Sequence, residues 1–385
     1  MKKLLVVGAG FSGAVLAREL AALNDVEVLV IDRRSHLAGN CHTSRDDETG
    51  VMVHRYGAHI FHTSDLEVWN YVRRFSEFMP FINRPKVSIA SGIYSFPINL
   101  HTINQFFGVK LNPADAVRFI AAKREPIAEP QNFEEQALQF VGRELYEAFF
   151  KGYTQKQWGC DPRELPASIL KRLPVRFNYN DNYYDSIYQG IPVEGYTAIV
   201  EAILAHERIE VKLATSWEED MQDEFEHVFF TGPIDARYAY RFGRLSYRTV
   251  YWDRAVHAGD FQGHPGINYP GLDVPYTRIR EHKHYTPWEH HDKTVVFTEY
   301  SKDTGADDEP FYPKRLAPDM TILRNYAALA QDEQRLSFLG RLGTYRYLDM
   351  HQVIREALDF ARQWSAAVAT HARRPVFPEN VRASA

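Results

Sequence analysis

The sequence predicts an α/β protein: a Rossmann-like domain assembled from separate stretches, an inserted helical domain, and an antiparallel β-sheet domain that would hold a substrate. Three observations carry this reading. A strand, glycine turn, helix and second strand open the chain. Short apolar strands with helical partners return after about residue 192. Between them the composition changes, first to helix formers and then to alternating stretches rich in Tyr, Val, Thr and Pro. With 385 residues, 45% of them hydrophobic, the chain can bury more than one core.

Lys3 to Val7 reads as a buried strand, and Gly8-Ala9-Gly10-Phe11-Ser12-Gly13 then matches G-x-G-x-x-G and opens a helix to about Leu23. Gly8 allows the tight turn, Gly10 lets the backbone approach a pyrophosphate, and Gly13 lets helix and strand pack closely. The helix start, with Phe11 and Ser12, offers unpaired N–H groups to phosphates. Val26 to Ile31 is the second strand, and Asp32 at its end can accept hydrogen bonds from ribose hydroxyls. Arg33 follows the acid, and Ala38-Gly39-Asn40 stands where FAD proteins often carry a glycine pair, so residue 38 should adopt a backbone angle that Ala tolerates. No second G-x-G-x-x-G occurs downstream. The cofactor expected is therefore FAD alone, with any electron donor external.

Further strands are expected near Ile209–Leu213, Val228–Thr231 and Leu336–Leu339, with a helix before Ala205 and another beginning near Val353 behind an Asp349 N-cap. The FAD-binding domain thus comprises 1–80, 192–244 and 313–385. Helix formers in Ala114–Lys123 and Glu134–Lys151 place a helical domain at 97–175, and 81–96, 176–191 and 245–312 form the antiparallel sheet domain. The tail from about Ala366 lacks periodicity and is expected to be mobile.

A net charge of -5 gives no electrostatic reason to expect nucleic acid or anionic membrane. Two cysteines, Cys41 and Cys160, cannot form a disulfide framework and fit a reducing cytoplasm. Residues Met1 to Ala17 imitate a secretory signal, but three glycines interrupt the apolar run and a second strand follows, so the expected location is cytoplasmic. No stretch approaches the length of a membrane span. The aromatic content of 14% suits flat ligands, although a large core also draws on it.

Tyr146, Phe149, Phe150 and Tyr153 fall at helical spacing, which is first of all the pattern of a core stripe. The polar run Gln155-Lys156-Gln157 and Gly159 that follow suggest instead a helix ending at a cleft. A loop bracketed by Gly159 and Pro166 leads to Lys171 and Arg172, and could move as a lid. Arg278, Arg280 and His282 alternate along one strand face, either a solvated face or a diphosphate site. His282, His284, His290 and His291 lack a carboxylate or cysteine to complete a ligand set, so no metal is expected. No protein nucleophile or paired catalytic carboxylate stands out, which leaves the difficult step to the cofactor.

The segments Tyr56-Gly57-Ala58-His59-Ile60-Phe61-His62-Thr63, Phe149-Phe150 with Tyr153-Thr154 and Trp158, Tyr276-Thr277-Arg278-Ile279 and Phe311-Tyr312-Pro313 together resemble UDP-galactopyranose mutases of the bacterial type, over roughly Met1 to Trp364. Ala58 stands where the family often has Pro, and Ala38 where Gly is usual. The resemblance implies a homodimeric isomerase that interconverts UDP-galactopyranose and UDP-galactofuranose, through attack of reduced FAD N5 on the anomeric carbon and without net redox change. An external reductant is needed, and the product supplies cell-surface glycans. The rival reading is an FAD oxidase or dehydrogenase of the amine-oxidase type, which has no diphosphate to bind.

The same resemblance assigns Arg172 and Arg278 to the diphosphate, and Phe149, Phe150, Tyr153 and Thr154, with Gln105, to the uridine pocket. Asn83, Trp158, Tyr183, Asn268, Tyr312 and Tyr347 match positions around sugar and phosphates. Arg341, Asp349 and Met350 match the flavin side. His59 and His62 are placed beside the flavin as candidate catalytic residues without a definite role.

Overall fold

The computed structural model describes residues 2–23, 25–172 and 175–382, with side chains throughout except at residues 171, 172, 380 and 382. Five parallel strands form the first sheet, in the order Ile209–Lys212, Val26–Ile31, Lys2–Val7, His227–Phe230, Leu336–Phe338. Side chains alternate across it. Leu4, Val6, Val28 and Val30 enter one core, beneath the helices Phe11–Ala21, Gly195–Leu204 and Met350–Ala369. Leu5 and Ile31 enter the other, with Phe338, Tyr326 and Tyr345. Both faces are covered, which explains why the strands read as unbroken apolar runs. The strand order reverses at Lys2–Val7, and the crevice beyond its carboxyl end is where open α/β sheets bind ligands.

A second, seven-stranded sheet is built on the long antiparallel pair Tyr247–Ala258 and Lys293–Asp303. Next to Lys293–Asp303 lie Arg278–Glu281 and Gly266–Asn268, both antiparallel. The expectation of a purely antiparallel sheet needs one correction: Gly266–Asn268 runs parallel to Lys86–Ile89, because no hairpin joins these distant segments.

The helical region packs Leu100–Phe107, Pro113–Lys123 and Phe133–Val141 around one apolar cluster. The helix-forming stretch Glu134–Lys151 is divided among several elements. Gly142 takes φ 80° after Val141, and a Cβ there would stand 2.4 Å from the Lys123 carbonyl oxygen. Beyond it come Arg143–Tyr146, a π-helical turn at Glu147–Lys151, and Gly152–Trp158.

The tail also differs from expectation. The last long helix runs to Ala369, and Val376 and Phe377 are buried in the second core, where the Phe338 amide donates to the Val376 carbonyl. Apolar docking, invisible to periodicity, orders a segment with no helical repeat. Among the described residues no helix is long and apolar enough to cross a membrane.

Candidate active site

The glycine turn fits a dinucleotide. Gly8 has φ 112°, and a Cβ there would stand 2.0 Å from Thr231 Oγ1. A Cβ on Gly13 would stand 1.9 Å from the Gly8 carbonyl oxygen, so only glycine lets the helix sit this close to the turn. Gly10 faces Gly39, whose Cβ would lie 3.5 Å from Gly10 Cα, and Gly340 meets Ser12 in the same way at 2.6 Å from Oγ. Three chain segments thus converge on the helix N-terminus at glycines, where no side chain stands in the way, as close approach to a pyrophosphate requires. Asp32 Oδ2 accepts from the Ala9 amide at 2.8 Å and Oδ1 from the Arg34 amide at 2.9 Å, fixing the acid beside the turn. Arg34 Nη1 is buried there without a hydrogen-bond partner among the described residues.

Ala38 departs from the expected tolerable angle. Its φ is 71° and ψ 3°, the left-handed region that favours glycine, held by its amide donating to the Ala9 carbonyl. Arg33 points outward and pairs with Glu309 at 2.6 Å. Asn40 accepts from Arg34 at 2.8 Å, tying its loop to the residues that follow Asp32.

A second set of residues is aligned across the seven-stranded sheet. Asn268, Arg278 and Glu299 are direct cross-strand neighbours, so their side chains share one face. Arg278 Nε lies 2.7 Å from Glu299 Oε1, its Nη2 reaches Gln157 Oε1 at 3.4 Å, and its Cζ sits 5.7 Å from the Tyr153 ring centre. Burial disfavours the Arg278 charge, but Glu299 and the surrounding Tyr153, Tyr312 and Tyr183 hydroxyls outweigh it and hold the guanidinium protonated. The alternative of a solvated face is thereby excluded. Tyr312 stacks on Tyr347 at 5.5 Å, and Arg341 lies over Tyr347 at 4.9 Å, so aromatic rings connect the arginine face to the crevice of the first sheet.

A UDP-galactopyranose mutase family model matches residues 148–347, and a model of NAD(P)-binding Rossmann-like domains matches residues 6–75. A probable UDP-galactopyranose mutase of Klebsiella pneumoniae is 52% identical over 382 residues, covering 99% of both chains. The chain belongs to the UDP-galactopyranose mutase family. Within it, a dTDP-fucopyranose mutase of Escherichia coli is 48% identical over 94% of this chain and 98% of its own. The fold matches the crystal structure of a reduced UDP-galactopyranose mutase with a TM-score of 0.70, at 14% identity and 96% coverage of each chain.

In this member of the mutase family, Arg341 donates to the Leu348 carbonyl through Nε and Nη2 and to the Phe311 carbonyl through Nη1. It locks the turn before the last long helix, where Asp349 sits at the N-cap and Met350 begins the helix, partly buried against the first core. His59 is pinned by its Nδ1 to the Gly57 carbonyl at 2.7 Å. Burial, then Arg341, pulls its pKa down to about 4. His62 stacks on Tyr184 at 3.6 Å and lies 3.9 Å from Asp349; burial brings it to about 4 as well, against the pull of Asp349. Both imidazoles are neutral at pH 7.

Phe149 and Phe150 are only 3% and 4% exposed and pack with Tyr94, Phe96 and Phe106 in the helical core, while Tyr153 leaves that core for Arg278. Thr154 is buried beside Tyr153, and Trp158 lies half-buried against the same core. Gln105 lines a cavity of about 400 Å³ with Lys86, Tyr94, Asn99 and Asp181. Tyr183 donates its amide to the Asn83 carbonyl, which holds these two expected sugar-side residues together. The side chain of Arg172 lies outside the described residues.

Sequence reasoning missed Glu299, whose alternation with Phe297 and Val295 in a strand was its only signal. It also missed carboxylates beside the histidines: ligand-type atoms of Asp260, Glu281 and His284 lie within 4.8 Å of one another. Glu281, however, already accepts from the amides of Phe261, Gln262 and Gly263, and Asp260 pairs with Lys283.

Proposed function

We propose that this protein is an isomerase that interconverts UDP-galactopyranose and UDP-galactofuranose, with FAD in the crevice of the first sheet and the nucleotide sugar against the Arg278 face. The observation that carries the reading is Arg278 itself: a buried, obligatorily charged fork backed by Glu299 and bordered by tyrosines. An amine oxidase has no use for such a group.

When bound, reduced FAD supplies through N5 the nucleophile at the anomeric carbon, so the reaction leaves the flavin's redox state unchanged overall. The chain's own residues do the rest. The Gly8–Gly13 turn, Asp32, Gly39 and Arg341 hold and orient the cofactor. Arg278, with Arg172, stabilises the negative charge that grows on UDP as the anomeric C–O bond breaks, a role in which a preorganised cation is worth most in a desolvated cleft. Tyr153 offers its ring to uracil or ribose, and stacking of this kind contributes about 1–3 kcal/mol per base. His59 and His62, neutral at working pH, can accept or relay protons but are poor electrostatic stabilisers of a leaving phosphate. The division of labour follows the three-part organisation: 1–80, 192–244 and 313–385 for FAD, 97–175 for the helical wall, and 81–96, 176–191 and 245–312 for the substrate. A homodimer working in the cytoplasm with an external reductant, and feeding cell-surface glycans, completes the reading on the strength of the family.

The test is turnover of UDP-galactofuranose by the purified protein with and without dithionite. Activity only after reduction supports the proposal. The 48% identical relative adds a second substrate, dTDP-fucopyranose, to the same assay; turnover of that compound alone would reassign the nucleotide and the sugar. Oxygen consumption with an amine in place of either would overturn the proposal.

A further inference from the structure

The helix Gly152–Trp158 presents two adjacent stripes, each spaced by four residues and so each on one face. Tyr153 and Gln157 meet Arg278. Gly152 and Lys156 meet the loop 269–276, which joins the strand ending in Asn268 to the strand beginning with Arg278. Lys156 Nζ donates to four carbonyl oxygens of that loop: Tyr269 at 2.6 Å, Gly271 at 2.6 Å, Val274 at 3.0 Å and Tyr276 at 2.8 Å. An ammonium has three protons, so one is shared, and the loop is folded around it as a cage. Gly152 permits the approach, because a Cβ there would stand 2.2 Å from the Pro270 carbonyl oxygen.

The other side of the helix is fastened too. Arg248 donates through Nε to the Gln157 carbonyl at 2.9 Å and through Nη2 to the Lys156 carbonyl, while Nη1 pairs with Asp303 at 2.7 Å. The helix is thus anchored to the long antiparallel strand pair by its last carbonyls, and Lys156 ties the loop to the helix. Remove the ammonium and four carbonyls lose their donor together, in the loop whose two ends carry Asn268 and Arg278.

We propose that Lys156 is a positioning residue: by caging itself in the loop 269–276 it sets Arg278 against Tyr153 and Gln157, and so sets the grip on the substrate's diphosphate. The identity of that ligand rests on the function proposed above; the mechanical role does not. The experiment uses the full-length protein with Lys156→Ala, Arg278→Ala and the double variant. In Lys156→Ala, hydrogen exchange of the amides of 269–277 should accelerate at least about tenfold, and UDP should bind at least about tenfold more weakly by calorimetry. In the double variant, Lys156→Ala should add less than about twofold to the loss caused by Arg278→Ala, since the two act through one group. Propylammonium, which replaces the missing ammonium, should restore most of the lost affinity of Lys156→Ala, and propanol should not. Should Lys156→Ala fail to fold, Gly152→Ala displaces the same loop from its other contact and should give the same non-additivity. Unchanged exchange in 269–277, or additive losses of UDP affinity without amine rescue, would overturn the proposal. Failure of the wild type to bind UDP would count against the proposed function, and the exchange measurement would still decide the role of Lys156.

Discussion

Replacing Arg278 by lysine separates the guanidinium fork from its charge. In the structure Nε lies 2.7 Å from Glu299 as an ion pair without hydrogen-bond geometry, Nη2 donates to Gln157 at 3.4 Å, and Nη1 hydrogen-bonds to none of the described residues. A lysine ammonium at the end of a flexible stem can satisfy Glu299 or reach outward, but cannot hold the planar two-armed geometry that spans a diphosphate. A hydrogen bond to a charged group contributes about 1.5–3 kcal/mol. Losing one from the transition state should lower kcat/KM by about 10- to 150-fold.

Alanine would cost more, for a reason unrelated to catalysis. Glu299 is 2% exposed, and without Arg278 it keeps, among the described residues, only Thr277 Oγ1 at 3.4 Å and the more distant Arg280 at 3.9 Å. Removing one partner of a buried pair costs about 3–5 kcal/mol of stability. Arg278→Ala with Glu299→Gln removes the stranded charge, so the double variant should melt higher than Arg278→Ala while remaining as inactive. The assay is the initial rate on UDP-galactofuranose under dithionite, with UDP affinity by calorimetry and thermal melting on the same samples. An Arg278→Lys enzyme within twofold of wild type in both kcat/KM and UDP affinity would refute the leaving-group role.

Ala38→Gly should stabilise the protein by about 0.5–1 kcal/mol, since relief of a left-handed alanine outweighs the added freedom of the unfolded chain; the urea midpoint checks it. Gly13→Ala drives a methyl into the Gly8 carbonyl, 1.9 Å away and unable to yield, so under the proposed function this variant should purify without the flavin absorption expected of the unaltered protein. His227, joined to Ser337 Oγ at 2.7 Å, is lowered to about 3 by burial, then by Arg374 and Arg335. Its neutral form is the folded one, so the unfolded chain takes the proton first as pH falls through about 6.5. Stability should be lost between about pH 6.5 and 3 at about 1.4 kcal/mol per pH unit for this residue, and be unaffected by it above pH 7. His227→Gln should flatten the acid limb of a urea-midpoint-against-pH plot by that slope.

Much of the frame was legible from the residues. Gly8, Gly10, Gly13 and Asp32 carry their roles in their spacing, and the apolar runs at Lys2–Val7, Val26–Ile31 and His227–Phe230 needed no more than length and composition to be read as strands. What the sequence hides is register and backbone angle. Glu299 becomes the partner of Arg278 only because two strands pair in one register, and no local pattern near either residue states that register. Ala38 looks like a position where alanine is comfortable, yet the turn it closes demands φ 71°. Lys156 reads as one polar residue in a polar run, and its four acceptors are backbone oxygens of a remote loop, which side-chain identity cannot announce.

The aromatic stripe shows the same limit in a single helix. In a regular α-helix, seven positions turn the chain through nearly two full circles, so Tyr153 would lie about 20° from Tyr146 and share its core face. Tyr146, Phe149 and Phe150 do enter the helical core, and Tyr153 does not. The cause is the π turn at Glu147–Lys151, which accommodates more residues per turn than an α turn. Everything beyond it is rotated by roughly the 100° of one α-helical residue. That rotation takes Tyr153 and Gln157 off the core and onto Arg278, and puts Gly152 and Lys156 on the loop that carries it. The core-stripe reading therefore describes three of the four aromatics, Tyr146, Phe149 and Phe150, and the π turn marks where the run leaves the core and Tyr153 turns to Arg278.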